Sequence, residues 1–161
     1  MKLKKILKLN KINYLLCTEI ENISWLLNIR GYDSLYSPLT NGKLIIRADG
    51  KITFFTNLNK INPKIKRFFK KNVTFIKENF FLNYLKQIKK SKILIDKRTC
   101  SFDCEKIISS SNKIIRTNDP INLLKAIKNK TEITNTKIAH LFDGIALTKF
   151  IFWLKNNYNK F

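Results

Sequence analysis

Short apolar runs alternate with amphipathic segments along almost the whole chain, and the lengths of both are typical of an α/β fold. Apolar residues at helical spacing predict a helix over residues 2–9. Runs rich in Ile, Leu, Val and Phe predict strands at residues 12–17, 43–48, 52–56, 73–76, 93–95 and 113–115. Asp49-Gly50 lies between the second and third runs and predicts a β-hairpin. The pattern therefore predicts an α/β domain in which helices flank a mixed β-sheet.

A central helix is predicted between the first strand and the hairpin. Thr18 and Glu21 have the spacing of a capping box, which places the start of this helix near Glu19. Arg30-Gly31 is expected to end it, with Gly31 in the left-handed conformation.

Other capping signals mark three further helices. Asn62-Pro63 and Asp119-Pro120 each combine an N-cap residue with a proline at the first helical position. The corresponding helices are expected to run through residue 69 and to about residue 128. Asn129 with Glu132 is a second capping box, and it predicts a long C-terminal helix that ends near residue 156.

The loop after the central helix concentrates polar and aromatic side chains. Arg30, Tyr32, Asp33 and Tyr36 lie within seven residues of each other, on a segment that ends at Pro38. Two interpretations remain open from the residues alone. The loop is either a well-packed corner or a functional loop that the scaffold holds in position.

Three ordered stretches resemble the Xaa-Pro aminopeptidases. The first, similar to a signature of their N-terminal domain, is Asn22-Ile23-x-Trp25-Leu26-Leu27-Asn28-Ile29-Arg30-Gly31-x-Asp33, followed by Tyr36 and Pro38. The second begins at Asp119-Pro120-Ile121, continues through residues 124–129 and resembles the family's join to its catalytic domain. The third, within residues 131–154, is similar to the first helix of that domain.

The resemblance implies a fold and an activity. Residues 1–128 are expected to form a creatinase/prolidase-type N-terminal domain with a ribonuclease H-like motif. Residues 129–161 are expected to be the linker and first helix of a truncated metallopeptidase catalytic domain. The family removes N-terminal residues that precede proline and uses a divalent metal, with manganese as the expected ion. For this chain the resemblance implies a non-catalytic portion of a truncated or split enzyme, with no cofactor of its own and no activity alone.

The same resemblance supplies candidate site residues but no catalytic and no metal-ligating ones. Arg30, Tyr32 and Asp33 are candidates for the rim of a substrate site. Four other residues are expected to brace the loop: Asn22, Trp25, Asn28 and Gly31.

The net charge of +21 suggests an alternative function. A small basic protein could bind nucleic acid or another anionic surface. The chain has 27 Lys but only 5 Arg, however, and selection for phosphate or base recognition is expected to recruit Arg. The lysines are also scattered along the chain, so AT-rich codon usage explains them better. Weak, non-specific binding to polyanions is expected under either explanation.

Three features bear on compartment and partners. Three cysteines without a convincing secretion signal predict a cytoplasmic protein, and no apolar run approaches the ~20 residues that span a membrane. Apolar side chains surround much of the C-terminal helix, so we expect a separate catalytic chain or self-association through this helix. A gene remnant, a split protein and a stand-alone domain all remain open.

Overall fold

Six strands form one mixed sheet in the computed structural model, which describes residues 2–160. Their order across the sheet is β4-β3-β2-β1-β5-β6. They are β1 (Tyr14–Cys17), β2 (Lys43–Arg47), β3 (Ile52–Thr56), β4 (Val73–Lys77), β5 (Lys92–Asp96) and β6 (Lys113–Thr117). Each predicted apolar run overlaps one of these strands, so the predicted mixed sheet is confirmed.

The strand directions bring several carboxyl ends to one edge of the sheet. Strands β1, β5 and β6 are parallel neighbours, and β3 is parallel to β4. The central pairs β1–β2 and β2–β3 are antiparallel. The second of these pairs is the predicted hairpin, and Gly50 in its turn has a φ of 95°. Because β1, β5 and β6 are parallel, the residues that follow them lie close together.

Seven α-helices are present among the described residues. They are α1 (Lys2–Leu9), α2 (Ile20–Leu27), α3 (Pro63–Phe69), α4 (Phe81–Gln87), α5 (Phe102–Ser109), α6 (Pro120–Ala126) and α7 (Lys130–Asn157). The predicted N-caps of α3 and α7 are confirmed. Asn62 accepts a hydrogen bond from the Ile65 N–H, and Asn129 and Glu132 form both bonds of a capping box.

Alternate residues of the central strands point to opposite faces of the sheet, and each face has its own apolar core. Leu15, Leu44 and Phe54 belong to the core that α1, α2 and α6 cover. Leu16, Ile45 and Phe55 belong to the core on the other face, under α4 and α5. The domain is thus a sheet between two helical layers.

The central helix α2 begins where predicted but is capped differently at both ends. Its N-cap Glu19 makes no side-chain capping bond, and Thr18 Oγ1 instead donates to Thr99 Oγ1 over 2.8 Å. The predicted capping box is therefore wrong. The helix also ends three residues earlier than predicted, because Asn28 takes the left-handed conformation with φ 49° and ψ 43°. Gly31 does not have a positive φ, so its predicted role as the helix stop is wrong too.

The chain divides into two compact units, residues 1–125 and residues 126–161. The second unit consists mainly of α7, which ends within one residue of the predicted position. On this helix the rings of Phe150 and Trp153 stack, with their centroids 6.3 Å apart. None of the described helices combines the length and the hydropathy that a bilayer span requires.

Candidate functional site

The loop over residues 28–42 begins with a hydrogen-bonded helix end. The N–H groups of Asn28 and Ile29 donate to the carbonyls of Trp25 and Ser24 over 3.1 and 3.0 Å. Arg30 Nη1 adds bonds to the carbonyls of Ser24 and Ile29, at 3.3 and 2.9 Å. A cation beside the C-terminal carbonyls of a helix is favourable, because the helix dipole is negative there. Arg30 is therefore held over the end of α2 and remains exposed to solvent.

Gly31 allows the outgoing and returning halves of the loop to come together. A Cβ atom at this position would lie 3.0 Å from the carbonyl oxygen of Leu39 and 3.0 Å from Cβ of Thr40. The Thr40 N–H also donates to Ser24 Oγ over 3.2 Å, which ties the returning half to α2. Close approach of backbone, and not a left-handed turn, is the reason for glycine here.

Asp33 fixes the middle of the loop. Its carboxylate accepts the Asn41 N–H over 2.8 Å and the Lys60 ammonium over 2.6 Å. Only 12% of the side chain is exposed. The hydrogen bond from Lys60, followed by the one from Asn41, holds the pKa of Asp33 below its usual range. This carboxylate is thus ionised at neutral pH and directed into the loop.

The tip of the loop carries three exposed apolar side chains. Tyr32, Leu35 and Tyr36 have exposed fractions of 100%, 86% and 102%. A bridge between Ser34 and Ser37 closes the tip, and Tyr36 has a positive φ of 62°. Large apolar groups on a braced support can bind a partner without first losing much conformational entropy. We refer to Tyr32, Leu35 and Tyr36 as the loop tip.

The four residues predicted to brace the loop occupy three different places. Asn28 and Gly31 shape the loop itself, as described above. Trp25 is partly buried against the first core cluster, so its truncation is expected to cost less than that of a fully buried tryptophan. Asn22 lies in the first turn of α2, away from the loop's end of that helix.

Asn22 belongs to a buried polar network at the carboxyl edge of the parallel strands. Its side chain is fully buried, and Nδ2 donates to Asp119 Oδ2 over 3.1 Å. Asp119 Oδ1 accepts the Ile121 N–H over 2.8 Å, which caps α6. The Asp119 N–H donates to Asp96 Oδ2 over 2.9 Å. The network therefore joins the start of α2, the end of β5 and the start of α6.

Arg98 neutralises the second carboxylate of this network. It donates to Asp96 through its backbone N–H at 2.9 Å and through Nη2 at 3.1 Å. Burial alone would raise the pKa of Asp96. The hydrogen bonds from Arg98 and from the Asp119 N–H outweigh burial, so the pKa of Asp96 is below its usual range.

Sequence reasoning missed several of these residues. Lys60 is 27 positions from Asp33, and no local pattern connects the two. Asp96 directly follows the predicted strand at residues 93–95, and no local pattern assigns it a partner. Ser24 offered one signal, because it is a polar residue directly after Ile23 on the buried side of α2.

No group of three or more His, Cys, Asp or Glu side chains within residues 2–160 is arranged to hold a metal ion. The described residues thus do not fit the two-metal chemistry that the resemblance implies for the catalytic domain.

The three thiols are expected to react slowly with thiol reagents in the native protein. Cys17 and Cys104 are buried, and burial raises the pKa of Cys17 well above its usual value. Burial, with Cys104 and Glu105 nearby, raises the pKa of Cys100 to about 12. The thiolate is the reactive form, so little thiolate of Cys17 and Cys100 is available at pH 8, and burial keeps reagents away from Cys104. Ellman's reagent should modify the folded chain much more slowly than the urea-unfolded chain, and equal rates would contradict this prediction.

Proteins of similar sequence indicate one family for this chain. Residues 1–132 match the model of the creatinase/prolidase N-terminal domain. The chain is 33% identical over 161 residues to Xaa-Pro aminopeptidase 1 of Dictyostelium discoideum, covering 96% of this chain and 25% of that protein. It is 29% identical to a probable Xaa-Pro aminopeptidase P of Laccaria bicolor, covering 98% of this chain and 25% of that protein. The chain therefore spans about a quarter of the length of these curated relatives.

A solved structure extends the similarity to the fold. It is that of X-prolyl aminopeptidase from Caenorhabditis elegans, described as a cytosolic enzyme with a di-nuclear active site. The two chains superpose with a TM-score of 0.85 at 25% identity, over 97% of this chain and 26% of that one. The match to the domain family, over residues 1–132, by itself covers well over half of the chain. This protein belongs to the creatinase/prolidase N-terminal domain family, and the relatives that it resembles are Xaa-Pro aminopeptidases.

Proposed function

We propose that this chain is the non-catalytic N-terminal domain of an Xaa-Pro aminopeptidase. It acts together with a catalytic domain that hydrolyses the bond before proline with a divalent metal, for which manganese is the expected ion. The observation that carries the proposal is the superposition on the C. elegans enzyme, which has a TM-score of 0.85. It covers 97% of this chain but only 26% of that enzyme. We therefore assign binding and positioning to this domain, and the chemistry to the catalytic domain.

The loop over residues 28–42 is the part that we assign to this role. Arg30 presents an exposed guanidinium that can pair with a carboxylate of a peptide substrate or of the catalytic domain. Tyr32 presents an aromatic face at the loop tip. Asp33 is proposed to act on the rim through its bonds to Asn41 and Lys60, which set the shape of the loop. The rim is thus held in position before the substrate arrives.

The arrangement of the enzyme is also a proposal. We propose that its partner is a separate catalytic chain, or that the chain associates with itself through α7. A cytoplasmic location is proposed by analogy with the C. elegans enzyme, which is described as cytosolic.

Reconstitution in trans tests the proposed function. The full chain is mixed with the D. discoideum Xaa-Pro aminopeptidase 1 from which the quarter that aligns to this chain has been removed. With Mn²⁺ present, we expect the two parts to bind and kcat/KM for an Xaa-Pro peptide to rise by about 10-fold or more, because the rim is restored. The chain alone should show no turnover. Absence of binding, or an unchanged kcat/KM, would refute the proposal.

Two substitutions test the loop in the same assay. Arg30→Ala and Tyr32→Ala should each lower kcat/KM of the reconstituted pair by about 10-fold, as expected when a positioning contact is lost. Arg47→Ala is the matched control, because Arg47 is an exposed arginine that pairs with Asp49 in the hairpin. The control should retain full activity, and circular dichroism should show that all three variants are folded under the assay conditions. Full activity in both loop variants would leave the loop with a structural role alone.

A further inference from the structure

One surface of the first unit combines positive charge with an exposed aromatic ring. Lys64, Arg67, Phe68 and Lys71 recur at positions i, i+3, i+4 and i+7, the spacing that places residues on one side of a helix. The first three lie on α3, and Lys71 lies in the turn that follows it, two residues beyond Phe69. All four are exposed, and the exposed fraction of Phe68 is 82%. We refer to these four residues as the α3 face.

The charge on this part of the chain is of one sign. Residues 60–77 contain seven Lys or Arg and no Asp or Glu. Lys60 is bonded to Asp33, and among the described residues none of the other six cations forms an ion pair. Like charges so close together repel each other, and a bound polyanion removes that repulsion. Seven of the 32 Lys and Arg residues of the chain thus lie within this one segment.

The ring of Phe68 borders a groove between α3 and the end of α2. The groove has a volume of about 420 Å³. Its apolar lining includes Leu27 and Ile65, and its polar lining includes Asn28, Asn62 and Lys64. Phe68 packs edge-on against Phe69 with the ring centroids 5.0 Å apart, and Phe69 is itself partly buried. The exposed ring of Phe68 is thus held in place by its contact with Phe69.

This combination selects one class of ligand. A nucleobase has a flat face that stacks on an aromatic ring, and every base offers such a face. Phosphates along the same strand meet the cations on the α3 face. A membrane surface fits less well, because α3 has only seven residues and one outward aromatic ring. An isolated exposed phenylalanine would mean little, so the inference depends on ring, groove and cations together.

We propose that the α3 face and its groove bind single-stranded nucleic acid. One base stacks on Phe68 at the mouth of the groove, and the flanking phosphates contact Lys64, Arg67 and Lys71. Nothing in this contact set reads a particular base, so the binding is independent of sequence. It differs from binding through net charge alone because it depends on where the cations lie. The site is independent of the loop tip and of any aminopeptidase activity.

The first test removes three positive charges from the α3 face and compares the effect with the loss of three positive charges elsewhere on the chain. Affinity of the full chain for a fluorescein-labelled oligo(dT) is measured by anisotropy at several salt concentrations. The variant K64Q/R67Q/K71Q should bind about 10-fold more weakly, and the salt slope should fall by about 2, as expected for three lost single-strand phosphate contacts. The control K86Q/K106Q/K113Q removes three exposed lysines from α4, α5 and β6 and has the same net charge. It should bind nearly as well as the original chain, and equal weakening of both variants would overturn the proposal.

The second test isolates the ring. Phe68→Ala should weaken binding by about 10-fold, within the range for loss of one base–aromatic stack. Phe102→Ala is the control, because Phe102 is 79% exposed but lies beside Asp103 and Glu105. It should bind like the original chain. An unchanged affinity for Phe68→Ala would refute the stacking site. Binding to phosphatidylserine vesicles that needs the α3 face, without binding to the oligonucleotide, would also refute it.

Discussion

Gly42→Ala is expected to lower the free energy of unfolding by about 3 kcal/mol, the upper part of the usual range for overpacking a core. A Cβ atom at Gly42 would lie 2.4 Å from Cε2 of Phe54 and 2.5 Å from the backbone oxygen of Phe55. Both rings are completely buried, and strand β3 is hydrogen-bonded on both sides, so neither neighbour can move away. Urea unfolding followed by circular dichroism measures the loss.

Gly144→Ala is the matched control for Gly42→Ala. Nothing lies within 4 Å of a Cβ atom built at Gly144. Alanine in a helix interior is favoured over glycine by about 1 kcal/mol, so this variant should be at least as stable as the original chain. Equal stability of the two variants would show that Phe54 and Phe55 can yield, which would contradict the packing argument.

Asp119→Ala is expected to lower the free energy of unfolding by about 3 kcal/mol, the sum of two losses. One is the N-cap of α6, because the Ile121 N–H loses its acceptor. The other is the buried amide of Asn22, which donates to Asp119 and would be left without an acceptor. Oδ1 of Asn22 already has no hydrogen-bond partner among the described residues. Urea unfolding provides the measurement.

A double-mutant cycle separates these two losses. Asn22→Ala should lower the free energy of unfolding much less in the Asp119→Ala background than in the original chain. In that background the Asn22 amide that it removes is already unpaired. Asp119→Asn is the conservative control. It retains an oxygen that can cap α6 and should therefore be more stable than Asp119→Ala. Additive effects of Asn22→Ala and Asp119→Ala would show that their hydrogen bond is not energetically important.

The two networks serve different parts of the domain. The Asp119 network fixes the end of β5 and the start of α6 relative to α2. The contacts of Ser24, Asp33 and Lys60 fix the loop that follows α2. Helix α2 takes part in both, so the position of the loop tip depends on the whole first unit. A rim that must meet a catalytic domain benefits from such a rigid support.

Local sequence patterns were sufficient for most of the secondary structure. Strand positions followed from apolar runs bounded by turn residues, and the hairpin followed from Asp49-Gly50. The N-caps at Asn62 and Asn129 were correct, because a cap bonds to a backbone N–H only three residues away. The order of the motifs along the chain was also sufficient to predict the family. The match to the creatinase/prolidase N-terminal domain confirms that prediction.

The sequence by itself determined the elements, their order and the family, since these depend on neighbours within a few residues. Only the tertiary structure decided which side chains meet. Thr18 bonds to Thr99 and does not cap α2. Asp33 pairs with Lys60, and Asn22 pairs with Asp119 across 97 positions. Phe68 and Phe69 are adjacent and identical in type, but the sheet packs against one and leaves the other exposed. Which of these side chains meet depends on how distant parts of the chain fold together, and no local sequence pattern contains that information.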